Sequence, residues 1–168
     1  MKNIISTHGH NVYLKPGEVL VSREPLLVST VLGSCVAITL FSPSHHFGAI
    51  CHAMLPENAG RDKDLRYVDT ALEHIHRKIL QYGIDTADLM IKMFGGAQVL
   101  DVVKTDLEYL TIGDQNVKKA EEVLTALGYI VSARDTGGLQ GRKLFFCTRS
   151  GDVYVRRMRR KKTETDKE

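Results

Sequence analysis

The segment VLGSCVAITLFSPSHHFGAICHAMLP, residues 31 to 56, decides the fold that we expect for this chain. Two apolar runs, Val36 to Phe41 and Gly48 to Leu55, flank turn-forming residues that begin at Ser42, and this pattern predicts a β-hairpin. If the turn covers residues 42 to 45, its centre lies between residues 43 and 44. Cys35 and His52 are equally far from this centre along the chain. The two side chains are therefore predicted to be cross-strand neighbours, with about 4.5 to 5.5 Å between Cβ atoms if they are directly opposite.

Cysteine and histidine are the residue types of a thiol nucleophile and its base. An imidazole beside a thiol generates or stabilises the thiolate, and a third polar group usually orients the imidazole. The hydroxyls of Ser29 and Thr30, six and five positions before Cys35, are candidates for that group. The backbone N–H groups of Gly33, Ser34 and Cys35 are candidates for an oxyanion hole. By residue type alone, core packing is the commoner reason for a cysteine and a histidine on adjacent apolar strands.

The rest of the sequence predicts short strands and two amphipathic helices. Apolar positions recur at helical spacing from Tyr67 to Gln81 and from Asp114 to Leu127, and a glycine follows each segment, as at many helix C-termini. The pattern predicts strands over residues 18–22, 26–28, 89–94, 129–133, 143–147 and 153–155, and a turn over 135–138. We therefore expect a single-domain α+β fold, a mixed α/β sandwich of largely antiparallel strands with two main helices.

Length, cysteine usage and hydropathy narrow the class of protein. A chain of 168 residues, 43% of them hydrophobic, can form one domain with its own core. The three cysteines form neither a disulfide framework nor a zinc motif, which favours a reducing, cytoplasmic setting. The N-terminal residues lack the apolar core of a signal peptide, and the longest apolar run is shorter than the roughly 20 residues that span a bilayer. We therefore expect a soluble protein.

The basic charge is concentrated at the C-terminus. Residues 156–168 hold seven Lys or Arg and three Asp or Glu, in a chain whose formal charge is +3. We expect residues 1–155 to form the catalytic domain and residues 156–168 a solvated, flexible tail. Such a tail also suits contact with an anionic lipid surface or an acidic partner; we do not expect it to bind nucleic acid.

Other marked residues have simpler interpretations. Three closely spaced histidine pairs suggest a metal site at first sight: His8 and His10, His45 and His46, and His74 and His76. None has a carboxylate or cysteine set nearby with ligand spacing, so we predict no metal and no cofactor. The pairs Gly95-Gly96 and Gly137-Gly138 do not begin a complete phosphate-binding motif, and we predict that they form turns close to the active site. Cys51 and Cys147 are predicted to lie in the core.

Five motifs occur in order within residues 16–155: LGSCVAITLF, GAICHAMLP, YVDTAL, FGGA and DTGGLQGRK. Together they closely resemble the chemoreceptor glutamine deamidase family, CheD, whose α/β sandwich is similar to the catalytic domain of the cytotoxic necrotizing factor toxins. The resemblance implies that Cys35 is the nucleophile and His52 the base. In the family the third member is a threonine six residues before the cysteine, which is the position of Ser29 here. The resemblance thus favours Ser29 as the residue that orients His52, with Thr30 as the alternative.

The resemblance also implies an activity, a substrate and a partner. The protein is expected to be a protein-glutamine glutaminase that converts glutamines on the cytoplasmic helices of methyl-accepting chemotaxis receptors to glutamate, without a cofactor. A CheC-type phosphatase is expected as a partner. Two other functions stay open: a different Cys-His hydrolase or acyltransferase on the same fold, and a non-enzymatic chemotaxis module that mainly binds and stimulates the phosphatase. The basic tail is expected to contact the anionic inner face of the membrane weakly.

Overall fold

The structure, a computed structural model, describes residues 10–60, 62–99 and 110–159. In chain order the elements are β1 (Asn11–Tyr13), β2 (Val19–Ser22), β3 (Leu27–Leu32), β4 (Val36–Ser42), β5 (Phe47–Ala53), α1 (Val68–Gln81), a 3₁₀ turn (Thr86–Asp88), β6 (Met90–Gly95), α2 (Ile112–Ala126), β7 (Val131–Thr136), β8 (Arg142–Cys147) and β9 (Val153–Arg157). This confirms the predicted α+β class. Within the described ranges, neither helix is long and apolar enough to cross a lipid bilayer.

The strands form two sheets. The large sheet has the order β2-β5-β4-β6-β7, and the small sheet has the order β1-β3-β8-β9. Neighbouring strands are antiparallel except for the parallel pairs β1 with β3 and β6 with β7. The predicted hairpin of β4 and β5 therefore lies in the middle of the large sheet.

The molecule has three layers, which are the helices, the large sheet and the small sheet. One face of β4, with Val36, Ile38 and Leu40, packs in a cluster with the apolar faces of α1 and α2. The opposite face, with Ala37 and Phe41, packs against apolar residues of the small sheet. All residues of β4 and β5 are buried, because both faces of these strands are covered. This double cover explains why the two strands read as nearly continuous apolar runs rather than as alternating ones.

The two helices cover the outer face of the large sheet. Helix α1 buries the expected apolar positions except Leu80, which is 62% exposed, and the chain leaves the helix at Gly83, which has a φ of +63°. Helix α2 begins two residues before the predicted start, because Thr111 caps it and forms a capping box with Asp114. The buried face of α2 also carries Asn116, an uncharged polar residue that the apolar pattern does not reveal.

Several boundaries differ from the sequence prediction. Strand β7 continues through Thr136, so only the glycines of the predicted turn over residues 135–138 leave the strand. Both glycines have φ near +75°, a conformation that costs a residue with a Cβ atom about 1–2 kcal/mol. Strand β9 includes Arg156 and Arg157, so the folded sheet extends two residues into the predicted tail. Residues 160–168 of that tail, and His8, lie outside the described residues.

Candidate active site

The hairpin brings Cys35 and His52 to the same face of the large sheet, but not opposite each other. His52 pairs with Ala37, and the last pair of the ladder is Val36 with Ala53. Cys35, one residue further out, therefore lies across from Met54, and His52 is its diagonal neighbour. Diagonal pairs are separated by roughly 7 to 8 Å between Cα atoms, rather than the shorter distance of directly opposed residues.

The predicted register was wrong by two residues, because the centre of the turn lies one position further along the chain than predicted. The turn residues are 43–46, and Ser42 still belongs to β4, where it pairs with Phe47. The Ser42 hydroxyl contacts the Asp88 carboxylate and lies 2.9 Å from Nδ1 of His45, while His46 takes a left-handed φ of +48°. These contacts hold Ser42 in the strand and move the centre of the turn one position along the chain.

Thr30 is the residue whose hydroxyl contacts His52. Oγ1 of Thr30 lies 2.6 Å from Nδ1 of His52, and both residues are almost completely buried. Successive side chains of a strand point to opposite faces, so Thr30 faces the large sheet. Ser29 faces the other side, where its cross-strand partner is Phe145. The preference for Ser29 is thus corrected, because its side chain points away from His52.

The hydrogen bonds of Thr30 fix the tautomer of His52. The Thr30 hydroxyl donates its single proton to the carbonyl oxygen of Leu14, at 2.8 Å. A carbonyl can only accept, so the same hydroxyl oxygen must accept from the imidazole. Nδ1 of His52 therefore carries the proton, and Nε2 carries the lone pair.

The environment keeps His52 neutral and leaves its lone pair unused. Burial lowers the pKa of His52 from its ordinary value of 6.5 to about 4, because the surroundings solvate the imidazolium poorly. Nε2 is buried and makes no hydrogen bond to any residue in the described part of the chain. Near neutral pH the site thus contains an uncharged base whose acceptor atom is free to take a proton.

Cys35 is partly exposed and is a thiol rather than a thiolate at rest. Burial raises the pKa of the Cys35 thiol above 9.0, and the residue's own N–H, which faces the sulfur, opposes this shift. The other two cysteines, Cys51 and Cys147, are buried, as predicted. Because the pKa of Cys35 is raised and that of His52 is lowered, the pair is neutral and does not form a thiolate–imidazolium ion pair.

Donors from neighbouring elements hold all three carbonyl groups of the Gly33–Cys35 loop. The carbonyl of Gly33 accepts from the N–H of Ala97 at 2.9 Å, and that of Cys35 accepts from the N–H of Gly96 at 2.8 Å. The carbonyl of Ser34 accepts from the side-chain amide of Asn116 at 3.0 Å. The loop that supplies the candidate oxyanion donors is therefore fixed on its carbonyl side.

Both glycine pairs adjoin this loop, although Gly95 is the last residue of β6 rather than part of the predicted turn. The N–H of Gly96 donates a hydrogen bond to the carbonyl of Cys35, and the N–H of Gly137 donates to the carbonyl of Gly95 at 2.8 Å. Arg142, which is 1% exposed, donates to the carbonyls of Gly95 and Gly137 and forms an ion pair with Asp135. Sequence reasoning missed this buried arginine, although it stands directly within the DTGGLQGRK motif.

Sequence reasoning also missed Asn116. Its signal in the sequence is an amide at helical spacing from Gly113 and Ala120, on the side of α2 that would otherwise be apolar. Among the described residues, no group of three or more His, Cys, Asp or Glu side chains is arranged to hold a metal ion.

The fold and the site define an α/β sandwich with a buried threonine–histidine pair on the same face as a partly exposed cysteine. The family model described as CheD chemotactic sensory transduction matches residues 54–157. The "Probable chemoreceptor glutamine deamidase CheD 2" of Geobacter sulfurreducens is 42% identical, over 93% of this chain and 94% of that protein. The "Probable chemoreceptor glutamine deamidase CheD" of Maridesulfovibrio salexigens is 44% identical, over 88% and 91%. The chain belongs to the CheD family.

Two details of these matches bear on the site. The family model begins after His52, whereas the Geobacter alignment leaves only 7% of the chain outside and therefore spans the hairpin. Among solved structures, the chain is similar to the Bacillus licheniformis hypothetical protein YfiH, with a TM-score of 0.47 and 14% identity, over 73% of this chain and 49% of that one.

Proposed function

We propose that this protein is a chemoreceptor glutamine deamidase, in which Cys35 is the nucleophile, His52 the base and Thr30 the residue that orients His52. The observation that carries the proposal is the hydrogen-bonded chain from Leu14 through Thr30 to His52, which leaves the Nε2 lone pair of His52 on the face that carries Cys35. The names of the relatives supply the substrate, a glutamine side chain of a chemoreceptor.

The first half of the reaction forms a thioester. His52 takes the thiol proton at Nε2 as the sulfur of Cys35 attacks the side-chain amide carbon of the substrate glutamine. The C=O π electrons move onto oxygen, and backbone N–H groups of the Gly33–Cys35 loop stabilise the resulting oxyanion. The oxyanion then re-forms the carbonyl, the C–N bond breaks, and the imidazolium donates its proton to the departing ammonia.

The second half restores the enzyme. His52 removes a proton from water, the hydroxide attacks the thioester carbon, and the C–S bond breaks to release glutamate and the Cys35 sulfur, which regains its proton. In total one amide and one water become one carboxylate and ammonium. The resting thiol suits this sequence, because the raised pKa of Cys35 makes proton transfer to a base necessary.

The reaction changes the charge of the receptor. A neutral glutamine becomes a carboxylate, which can alter packing between receptor helices electrostatically and provides a site for methylation. The protein acts on the cytoplasmic part of the receptor and therefore in the cytoplasm. A CheC-type phosphatase is its binding partner.

The basic tail adds a weak attraction to the membrane surface that carries the receptors. Each basic residue near an anionic surface contributes about 1 kcal/mol. Deletion of residues 160–168 is expected to reduce sedimentation with vesicles that contain anionic lipid at low salt, and not with neutral vesicles. Equal sedimentation of the deletion variant and the full chain would refute the membrane contact.

Mass spectrometry of a receptor cytoplasmic fragment, with ammonia release, tests the activity. The full chain should replace the NH₂ group of specific glutamines by OH, and Cys35→Ala and His52→Ala should abolish this change. Cys51→Ala is the matched control, because Cys51 faces the helices on the other side of β5. Activity that survives in Cys35→Ala would refute the mechanism. Receptors that the folded wild-type protein leaves unchanged would favour the non-enzymatic module that binds the phosphatase.

A further inference from the structure

Asn116 is a buried amide that contacts the chain just outside each strand of the hairpin. Its Nδ2 donates to the carbonyl oxygens of Ser34 and Met54, each at 3.0 Å, and the residue is 0% exposed. Both acceptors are carbonyls, so the NH₂ group must lie between them. Oδ1 is buried and has no hydrogen-bond partner in the described part of the chain. The two Nδ2 bonds are thus the polar interactions that this side chain makes there.

These two carbonyls mark the open end of the hairpin. The paired register ends at Val36 with Ala53, and Ser34 and Met54 lie just beyond that pair, on either side of the hairpin opening. Asn116 therefore links the two chains where their backbone pairing stops. Helix α2 can approach this closely because Gly113 has no side chain, and a Cβ atom there would lie 2.6 Å from the carbonyl oxygen of Gly96.

The bond to Ser34 also controls the direction of the Cys35 N–H. In a trans peptide the C=O of one residue and the N–H of the next point in opposite directions. Because Asn116 draws the Ser34 carbonyl toward α2, the Cys35 N–H is turned away from α2. This N–H lowers the pKa of the Cys35 thiol and donates to no backbone carbonyl among the described residues. It is therefore available beside the atom that attacks the substrate.

We infer that Asn116 is a positioning residue that aims the Cys35 N–H at the developing oxyanion. The inference rests on the proposed deamidase reaction, in which that oxyanion forms on the carbon bonded to the Cys35 sulfur. Asn116 does not touch the substrate and acts through the Ser34–Cys35 peptide. The inference gives Asn116 no part in forming the thiolate, which is the task of His52.

Two reactions of Cys35 separate this role from a merely structural one. Deamidation builds an oxyanion, whereas alkylation by iodoacetamide displaces iodide from carbon and builds none. Asn116→Asp keeps the size of the side chain, but an ionised carboxylate donates no hydrogen bond to either carbonyl. Loss of one oxyanion donor typically lowers kcat by about 10²–10³-fold, and a misdirected donor should have a smaller effect. We expect kcat to fall about 10- to 100-fold in Asn116→Asp, with KM and the Cys35 alkylation rate within about two-fold of wild type.

Leu124→Ala is the matched control, because Leu124 is a buried core residue on the same helix whose side chain cannot form hydrogen bonds. It should lower the unfolding temperature and leave kcat within about two-fold. Unchanged kcat in folded Asn116→Asp would overturn the inference. An alkylation rate that falls in proportion to kcat would also overturn it, because Asn116 would then act on the thiol itself. Asn116→Ser, which retains one donor, gives the same comparison if the aspartate variant does not fold.

A second measurement does not depend on the deamidase activity. The ¹⁵N resonance of an amide responds to hydrogen bonding at the preceding carbonyl, so Asn116→Asp should shift the resonances of Cys35 and Leu55. It should leave those of strand β8 in place. Unshifted Cys35 and Leu55 resonances would refute the role of Asn116 even if the protein is a deamidase. Shifted resonances in a protein that deamidates no receptor would support the contact and refute the proposed function instead.

Discussion

Replacement of Thr30 by valine removes one hydroxyl from the chain that connects Leu14 to His52. Valine has nearly the same shape, so the change removes hydrogen bonds rather than packing. It leaves the carbonyl of Leu14 without its side-chain donor and Nδ1–H of His52 without its acceptor, and both Thr30 and His52 are almost fully buried. A buried polar group without a partner costs about 1–3 kcal/mol, so Thr30→Val should lower the free energy of unfolding by about 2–6 kcal/mol.

The same change should slow deamidation through the tautomer of His52. Without the Thr30 oxygen, nothing in the described structure holds the proton on Nδ1, and the ring can protonate Nε2 instead, which removes the base. If the transition state loses one hydrogen bond of about 1–3 kcal/mol, kcat falls about 5- to 150-fold. Steady-state ammonia release from a receptor fragment measures this fall, and urea unfolding measures the loss of stability.

Ser29→Ala and Thr30→Ser are the controls for this prediction. Ser29 points to the opposite face of β3, so its replacement should change kcat less than two-fold and stability by less than about 0.5 kcal/mol. Thr30→Ser keeps the hydroxyl and should retain most of the activity. Equal losses in Ser29→Ala and Thr30→Val, or full activity in folded Thr30→Val, would refute the assignment of Thr30.

Three further predictions follow from pKa values and close contacts. The pKa of His52 is lowered to about 4 in the folded protein, so the unfolded chain binds more protons as the pH falls from about 6.5 to about 4. His52 should therefore account for a loss of stability of order 3 kcal/mol over this range. The difference in urea unfolding between wild type and His52→Gln measures this loss, and identical pH dependence in the two proteins would contradict it. Because the pKa of Cys35 is raised above 9.0, its alkylation rate should still rise steeply between pH 7 and 9, about tenfold per pH unit. A plateau below pH 8 in a stopped-flow or mass-spectrometric assay would show a thiolate at rest and contradict this prediction. Gly113→Ala would place a Cβ atom 2.6 Å from the carbonyl oxygen of Gly96 and should lower both stability and kcat. Gly128 has a φ of +76° and open space around it, so Gly128→Ala should lower stability by about 1–2 kcal/mol and leave kcat unchanged. Similar kcat values for the two variants would contradict the role of the close contact between Gly113 and Gly96.

The local pattern of the sequence was sufficient for the secondary structure of the hairpin and the helices. Apolar runs interrupted by Ser42 to Ser44 predicted β4 and β5, and apolar residues at helical spacing predicted α1 and α2. These signals are local, because a strand or helix reports its period and its turn residues in its own sequence. The sequence also placed Cys35 and His52 at the open end of one hairpin, and its five motifs predicted the family to which the chain belongs.

The partner of His52 and the exact register were decided by the tertiary structure. Side chains alternate along a strand, so a difference of one residue moves a hydroxyl from one face of the small sheet to the other. Which face of β3 meets β5 depends on the packing of the two sheets. Because of this packing, His52 forms its hydrogen bond with Thr30 rather than with Ser29. The register of the hairpin likewise depended on Asp88, which is 46 residues from Ser42 in the chain.

The contacts of Asn116 were likewise not predictable from the sequence. The position of this amide on the apolar side of an amphipathic helix indicates that it is buried, but the helical pattern does not reveal its hydrogen-bond partners. Its two partners, Ser34 and Met54, are 82 and 62 residues away in sequence. By itself the sequence determined the elements, the hairpin and the residue types of the site. Only the tertiary structure decided which side chains meet, because those contacts join residues that are distant in the chain and share no local pattern.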